Sequence, residues 1–308
     1  MRNALIRNLL QLAGKDRRIW LVVGDVGYSV VEPFRERFPD RFVNTGVAEQ
    51  NMMGVAAGLA LSGNIVYTYT FANFTILRCL EQIRNDVCFH NANVKILGMG
   101  GGLTYGAAGM THHGTEDLGA VGSLPKIAVI APADPVEAEE AVKASAAWDG
   151  PCYIQMRKAG EKEIHRKPLK FAIGKALPLR RGGDVTIFSI GWITHNVLEA
   201  AERLGKDGFD VGVVSTPTLK PFDERCLLSC AKKTSAIVTV EENSSMCLAG
   251  QAARTLATSL RERIPLLTLG LPGEYSKTVG SQEYLLKKAG LSAEGIHKSV
   301  KSFLKDCL

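Results

Sequence analysis

No run of apolar residues in this chain approaches the roughly 20 needed to cross a bilayer, which argues against a membrane protein. The opening stretch, MRNALIRNLL, has neither the continuous apolar segment nor the small-residue cleavage site of a signal peptide. It reads instead as an amphipathic helix with Leu5, Leu9 and Leu12 on one face. The seven cysteines are odd in number and include no CxxC pair. A disulfide framework or a metal centre is therefore disfavoured, and reduced thiols in a cytoplasmic protein are expected. Lysine and arginine outnumber aspartate and glutamate by 37 to 31, but the basic residues form no run interleaved with aromatics. That spread disfavours nucleic acid and fits an anionic substrate or an acidic partner.

What is present is an ordinary globular composition, 46% hydrophobic and 22% charged over 308 residues, long enough for two domains. Short β-rich runs alternate with helical stretches, the pattern of an α/β fold with mostly parallel sheets. In the first half they cover 19–26, 41–46, 64–71, 94–101, 126–132 and 152–157. A charged segment without sustained period follows from 158 and reads as a linker with a short hairpin. The alternation restarts at 184–191, 210–218, 235–242 and 266–272, which predicts two domains, 1–172 and 173–308.

Loops at the carboxyl ends of parallel strands are where α/β proteins carry chemistry. Asp25 follows the first run, Glu49 the second, Phe71 the third, and the segment GGGLTYGAAGMTHHGTED (100–117) the fourth. Two readings of Glu49 stand side by side. An acid in the first turn of a helix caps free N–H groups and suits the helix dipole. Alternatively, Gly54, Ala57 and Gly58 share a face on which another backbone can approach, and an acid buried at such an interface can hydrogen-bond a heterocyclic nitrogen. Phe71 and Phe74 are either core residues or the walls of a slot for a flat ring. Two adjacent histidines in a glycine-rich loop are suited to donating to a substrate hydroxyl or carbonyl and relaying a proton.

The segments GVAEQNMMGVAAGLALSG, YTYTFANFTILRCLEQIRNDV and THHGTEDLGAVGSLPKIAVIAPADPVEAEEAV, in that order, resemble the pyrimidine-binding domain of the transketolase family of thiamine diphosphate enzymes. The second half, with DVTIFSIGWITHNVLEAAERLGKDGFDVGVVSTPTLKPFDE and IVTVEEN, resembles that family's C-terminal domain. The resemblance implies that Glu49 hydrogen-bonds N1′ of the cofactor's pyrimidine and that Phe71 and Phe74 flank the ring. It also implies that Asp25 lies near the thiazolium and that His112 faces the substrate, with His113 where most members carry glutamine. Arg157 aligns with an arginine that grips a sugar phosphate, Ser29 with a phosphate contact, and Arg78 with an arginine of the deoxyxylulose-phosphate synthase branch.

Two departures concern the substrate: the position of an aspartate that reads a sugar hydroxyl is Ala108, and that of a phosphate-binding histidine is Gly100. A modified sugar is therefore considered. A third concerns the metal. The family holds Mg²⁺ and the diphosphate with a GDG motif and a later asparagine, whereas GDV (24–26) lacks the last glycine and Asn51 belongs to the helix beginning at Glu49. The chain is thus expected to supply no metal ligands and to need a second polypeptide carrying the diphosphate domain, most simply as α2β2. Alone it should be inactive and bind the cofactor poorly. The leading expectation is half of a split transketolase; the alternatives are the β subunit of a 2-oxoacid dehydrogenase decarboxylating component, a deoxyxylulose-phosphate synthase relative, or a noncatalytic subunit retaining the fold.

Overall fold

The computed structural model describes residues 1–158, 163–244 and 247–307. The chain forms two α/β domains built on two sheets. The first half contributes β1 (Ile19–Val23), β2 (Phe42–Asn44), β3 (Ile65–Phe71), β4 (Val94–Met99), β5 (Ala128–Ile130) and β6 (Cys152–Met156). The second contributes β7 (Leu177–Arg180), β8 (Val185–Ile190), β9 (Val211–Ser215), β10 (Thr218–Lys220), β11 (Ala236–Ser244) and β12 (Leu266–Leu271). Nearly every residue of β3, β4, β8 and β9 is buried, as expected of parallel strands covered by helices on both faces.

The first sheet runs β10-β5-β6-β4-β3-β1-β2 and the second β12-β11-β8-β9-β7. All pairings are parallel except β10 with β5 and β7 with β9. Two expectations are corrected here. The run 210–218 is not one strand: it breaks at Thr216–Pro217, and β10 crosses to the first sheet, where it covers the edge that β5 leaves open. Among the described residues after Arg157, the charged segment makes no hairpin; its strand β7 pairs with β9, more than thirty positions on.

The crossing ties the domains into one apolar interior. Met52, Val66 and Leu118 of the first half share a core cluster with Leu219, Leu227 and Leu248 of the second. The helix Arg2–Lys15 buries Leu5 and Leu9 completely against the first sheet.

Candidate functional site

The helix Glu49–Leu61 starts on the acid that opens its sequence EQN, and Glu49 is 5% exposed. Its Oε2 accepts a hydrogen bond from Arg78 Nη1 at 3.0 Å. The Arg78 guanidinium also lies 3.8 Å from the centroid of the Phe74 ring, and its backbone carbonyl accepts from Gln50 Nε2. Arg78 is thus positioned on Glu49 and Phe74. On the same helix, Gly54 and Gly58 face open space, with nothing within 4 Å of an added Cβ. Ala57 does not join them: it is buried in the core, so the open stripe runs through Asn51, Gly54, Gly58 and Leu61 instead.

β3 ends on Phe71, and the helix Ala72–Leu77 that follows brings Phe74 back beside it, the rings edge to face with centroids 5.4 Å apart. His112 completes the group, 5.9 Å from Phe71 and 5.2 Å from Phe74. Tyr105 packs edge-on against Phe71 at 5.0 Å. Thr111 Oγ1 lies 3.0 Å from His112 Nδ1, which leaves Nε2 as the ring nitrogen for a ligand. Asn73 Nδ2 donates to the Thr111 carbonyl and so fastens the loop next to His112. The Asn73 Oδ1 is buried without a protein partner. Glu49, Arg78, Phe74, Phe71 and His112 therefore form one continuous group, reached from the carboxyl ends of β2, β3 and β4.

The remaining candidates stand apart. Asp25 takes φ +54 and exchanges hydrogen bonds with Asn44, its Oδ1 accepting from Nδ2 at 2.9 Å and its N–H donating to Oδ1 at 3.1 Å. Ser29, also at positive φ, donates its N–H to Glu32. His113 is buried, with Nε2 3.4 Å from the Gly106 carbonyl, and it lines a cavity of about 530 Å³ between the loop and residues 271–289. Arg157 is directed to the second domain: Nε and Nη2 donate to Gln282 Oε1 at 2.9 and 2.5 Å, and the guanidinium lies 3.6 Å from the Trp192 centroid. The Nζ of its neighbour Lys158 sits 5.9 Å from the centroid of the Tyr105 ring.

The glycines of the loop reflect close approach. Gly100 has φ +80, and a Cβ there would overlap the Tyr105 ring, so Tyr105 fills the space a side chain at position 100 would need. A Cβ on Gly102 would come within 2.8 Å of the Glu242 carboxylate. Sequence reasoning passed over Tyr105, Asn73 and Lys158, although Asn73 stands inside the TFANF stretch that carries Phe71 and Phe74.

Comparison with known proteins decides the family. Residues 1–160 match the transketolase pyrimidine-binding domain and residues 174–296 the transketolase C-terminal domain. The chain belongs to the transketolase family. It is 37% identical over 299 residues to the 6-deoxy-6-sulfo-D-fructose transketolase subunit SqwH of Clostridium sp., covering 96% of this chain and 92% of that one. It is 32% identical over 276 residues to a subunit of the apulose-4-phosphate transketolase of Actinobacillus succinogenes, covering 90% and 89%. Among solved structures, a split gene transketolase described as an inactive beta4 tetramer superposes with a TM-score of 0.89 at 35% identity, over 100% of this chain and 98% of that one. The transketolase of Campylobacter jejuni shares the fold, with a TM-score of 0.79 at 17% identity, and this chain spans 46% of it. The transketolase reaction transfers a two-carbon ketol unit between a ketose and an aldose, and this chain carries the family's pyrimidine-binding and C-terminal domains.

Proposed function

We propose that this chain is the pyrimidine-binding and C-terminal half of a thiamine diphosphate-dependent transketolase, with the Mg²⁺-diphosphate half supplied by a second polypeptide. We place the domain boundary at 172/173, shortly before β7. The observation that carries the reading is the single group formed by Glu49, Phe71, Phe74 and His112. It fits the pyrimidine end of the cofactor: a buried carboxyl at a helix start, an aromatic slot, and an orphaned buried acceptor, Asn73 Oδ1.

When bound, thiamine diphosphate supplies the nucleophilic carbon that takes up the two-carbon unit. Glu49 would hold the pyrimidine nitrogen N1′ through a hydrogen bond, and Phe71 and Phe74 would keep the ring oriented and exclude water. His112 would move a proton at the sugar hydroxyl or carbonyl. Asp25 is assigned to the thiazolium side; Ser29 and Arg78 are retained as substrate contacts, although Arg78 must first leave Glu49. His113 would support the loop from behind. Of the two cations that follow β6, Lys158 lies near Tyr105 and is the better candidate to meet an anionic sugar; Arg157 would act from the domain junction.

The substrate is assigned as a modified or phosphorylated ketose. Tyr105 bars a histidine at position 100, and Ala108 offers no polar group. The two similar proteins are named for an apulose phosphate and a sulfo-sugar, which supports a modified sugar here.

The assembly is assigned as α2β2 around a homodimer of this chain. Leu61 is 58% exposed on the stripe that Gly54 and Gly58 keep flat, a face suited to close packing of helices. By similarity to the inactive tetramer, this chain alone would be inactive. No helix among the described residues is long and apolar enough to cross a membrane, and seven free thiols fit a cytoplasmic enzyme. Calorimetric titration with thiamine diphosphate and Mg²⁺ tests the reading. Tight binding is expected only when both polypeptides are present, weakened at least about tenfold by Glu49→Gln, the factor of one net hydrogen bond. Equal binding by this chain alone, or by the variant, would overturn it.

A further inference from the structure

The loop that carries His112 is closed at its base. Gly102 and Gly114 exchange hydrogen bonds of 2.8 and 2.9 Å, so residues 103–113 form a compact loop with joined ends. Inside it, two 3-10 turns, Gly106–Ala108 and Met110–His112, are held by bonds such as Ala108 N to Tyr105 O and His112 N to Gly109 O. A loop tied this tightly within itself moves as a unit about its neck, so whatever fixes the neck fixes His112.

What fixes the neck comes from the other domain. The ladder between β11 and β8 ends at Glu241, and the register between β11 and β12 shifts between Val240 and Ser244, which re-aims the side chains there. Glu241 turns to the helix Leu248–Ser259 and accepts its first N–H groups, from Leu248 and Ala249. The next residue, Glu242, turns the opposite way and accepts the Leu103 N–H at 2.8 Å, on one side of the neck. Asn243 Nδ2 donates to Asp117 Oδ1 at 2.9 Å and shares its other N–H between the carbonyls of Gly114 and Thr115 at 3.3 and 3.2 Å, on the other side. Ser244 adds its N–H to the Thr115 carbonyl. Leu103 itself is buried in the apolar core of the second domain with Val185, Ile187 and Val240.

We propose that Glu242 and Asn243 are positioning residues of the transfer reaction: they clamp the neck of the 103–113 loop to the C-terminal domain and thereby set where His112 stands over Phe71 and Phe74. The same carboxylate oxygen also accepts from Gln282, which in turn holds Arg157, so the loop and the end of β6 share one anchor. The C-terminal domain thus takes part in the geometry of a site whose side chains belong to the other domain. Asn73, tying the loop next to His112, is the second fixed point.

The proposal rests on His112 facing the sugar, and the test separates the two. Asn243→Ala and Glu242→Ala are compared with the conservative Glu242→Gln in the full chain assembled with its partner polypeptide. Amide hydrogen exchange over 103–113 should quicken about tenfold in the alanine variants, the factor of one net hydrogen bond, with β1, β3 and β8 unchanged. The kcat should fall about tenfold with cofactor affinity unaltered, and Glu242→Gln should restore both readouts. Asn243→Ala should add nothing to the loss caused by His112→Ala. Unchanged loop exchange, or exchange rising equally throughout the C-terminal sheet, would overturn the clamp. A fully active His112→Ala would overturn the assignment of His112 and the catalytic half of this proposal, while the exchange data still decide whether the clamp holds the loop.

Discussion

Glu242 makes the domain junction sensitive to pH in a direction that the structure fixes. Its carboxyl is 7% exposed, and burial pushes its pKa up from the ordinary 4.5 to about 7, against the opposing effect of hydrogen bonds from Gln282 and Leu103. Between those two values the folded chain holds a proton that the unfolded chain has released. Stability attributable to this group is therefore greatest below about pH 4.5 and is lost as pH rises towards 7. The gap, 7 less 4.5, is 2.5 pH units. At about 1.4 kcal/mol per unit the loss is bounded at about 3.5 kcal/mol. Glu242→Gln keeps an acceptor for Leu103 and Gln282 but cannot ionise. Urea unfolding at pH 5 and pH 8 should show the parent losing more stability than the variant, with the difference between their two losses at most that bound. Glu241, also buried and shifted upward, acts in the same direction in both proteins and cancels in the comparison, whereas the Asp117 charge is one of the causes that raise Glu242 and is part of the effect read. Equal losses in parent and variant, or a variant less stable than the parent at pH 8, would refute the reasoning.

Three further outcomes are expected. A double-mutant cycle of Glu49→Gln and Arg78→Met, read by urea unfolding, should give a coupling of about 1–2 kcal/mol, between the values for exposed and buried pairs, because Glu49 is 5% and Arg78 48% exposed; coupling below about 0.3 kcal/mol, within ordinary additivity, would separate the two. Gly100→Ala should cost about 2 kcal/mol or more, since it combines a positive φ with overlap on Tyr105, and Tyr105→Ala should recover part of that loss; a neutral Gly100→Ala in thermal unfolding contradicts it. Lys158→Ala should raise the KM for an anionic ketose about tenfold, roughly the 1.4 kcal/mol of one lost charged contact, and leave cofactor affinity intact, as steady-state kinetics and titration would show; an unchanged KM removes Lys158 from the substrate side.

Strands dense in buried valine and isoleucine were legible in the sequence. The runs at 64–71, 94–101 and 184–191 became β3, β4 and β8 within two residues at either end, because a strand covered on both faces has an unbroken apolar signature. The three-residue β10 was not legible. A segment that short carries no period, and its place in the first sheet depends on an edge created far away in the chain. The start of the helix at Glu49 could be read from the motif, whereas its ion pair with Arg78 could not, since 29 residues separate the two. Arg157 illustrates the limit of reading by position. Its neighbour Lys158 lies near Tyr105, and only the packing of Trp192 and Gln282 shows which cation faces the second domain. The glycines at 100 and 102 were visible as a glycine-rich loop, but their cause, the side chains of Tyr105 and Glu242 pressed against the backbone, is a tertiary fact.

The central claim is that this chain holds the pyrimidine half of a two-polypeptide transketolase site. The most direct measurement is ketol transfer from a ketose to an aldose, with thiamine diphosphate and Mg²⁺ present, by this chain alone, by a polypeptide bearing the diphosphate domain alone, and by the two mixed. Activity that appears only in the mixture, and disappears when this chain carries Glu49→Gln, is the predicted result. Transfer by this chain alone, or a mixture as active with Glu49→Gln as without it, would contradict the account.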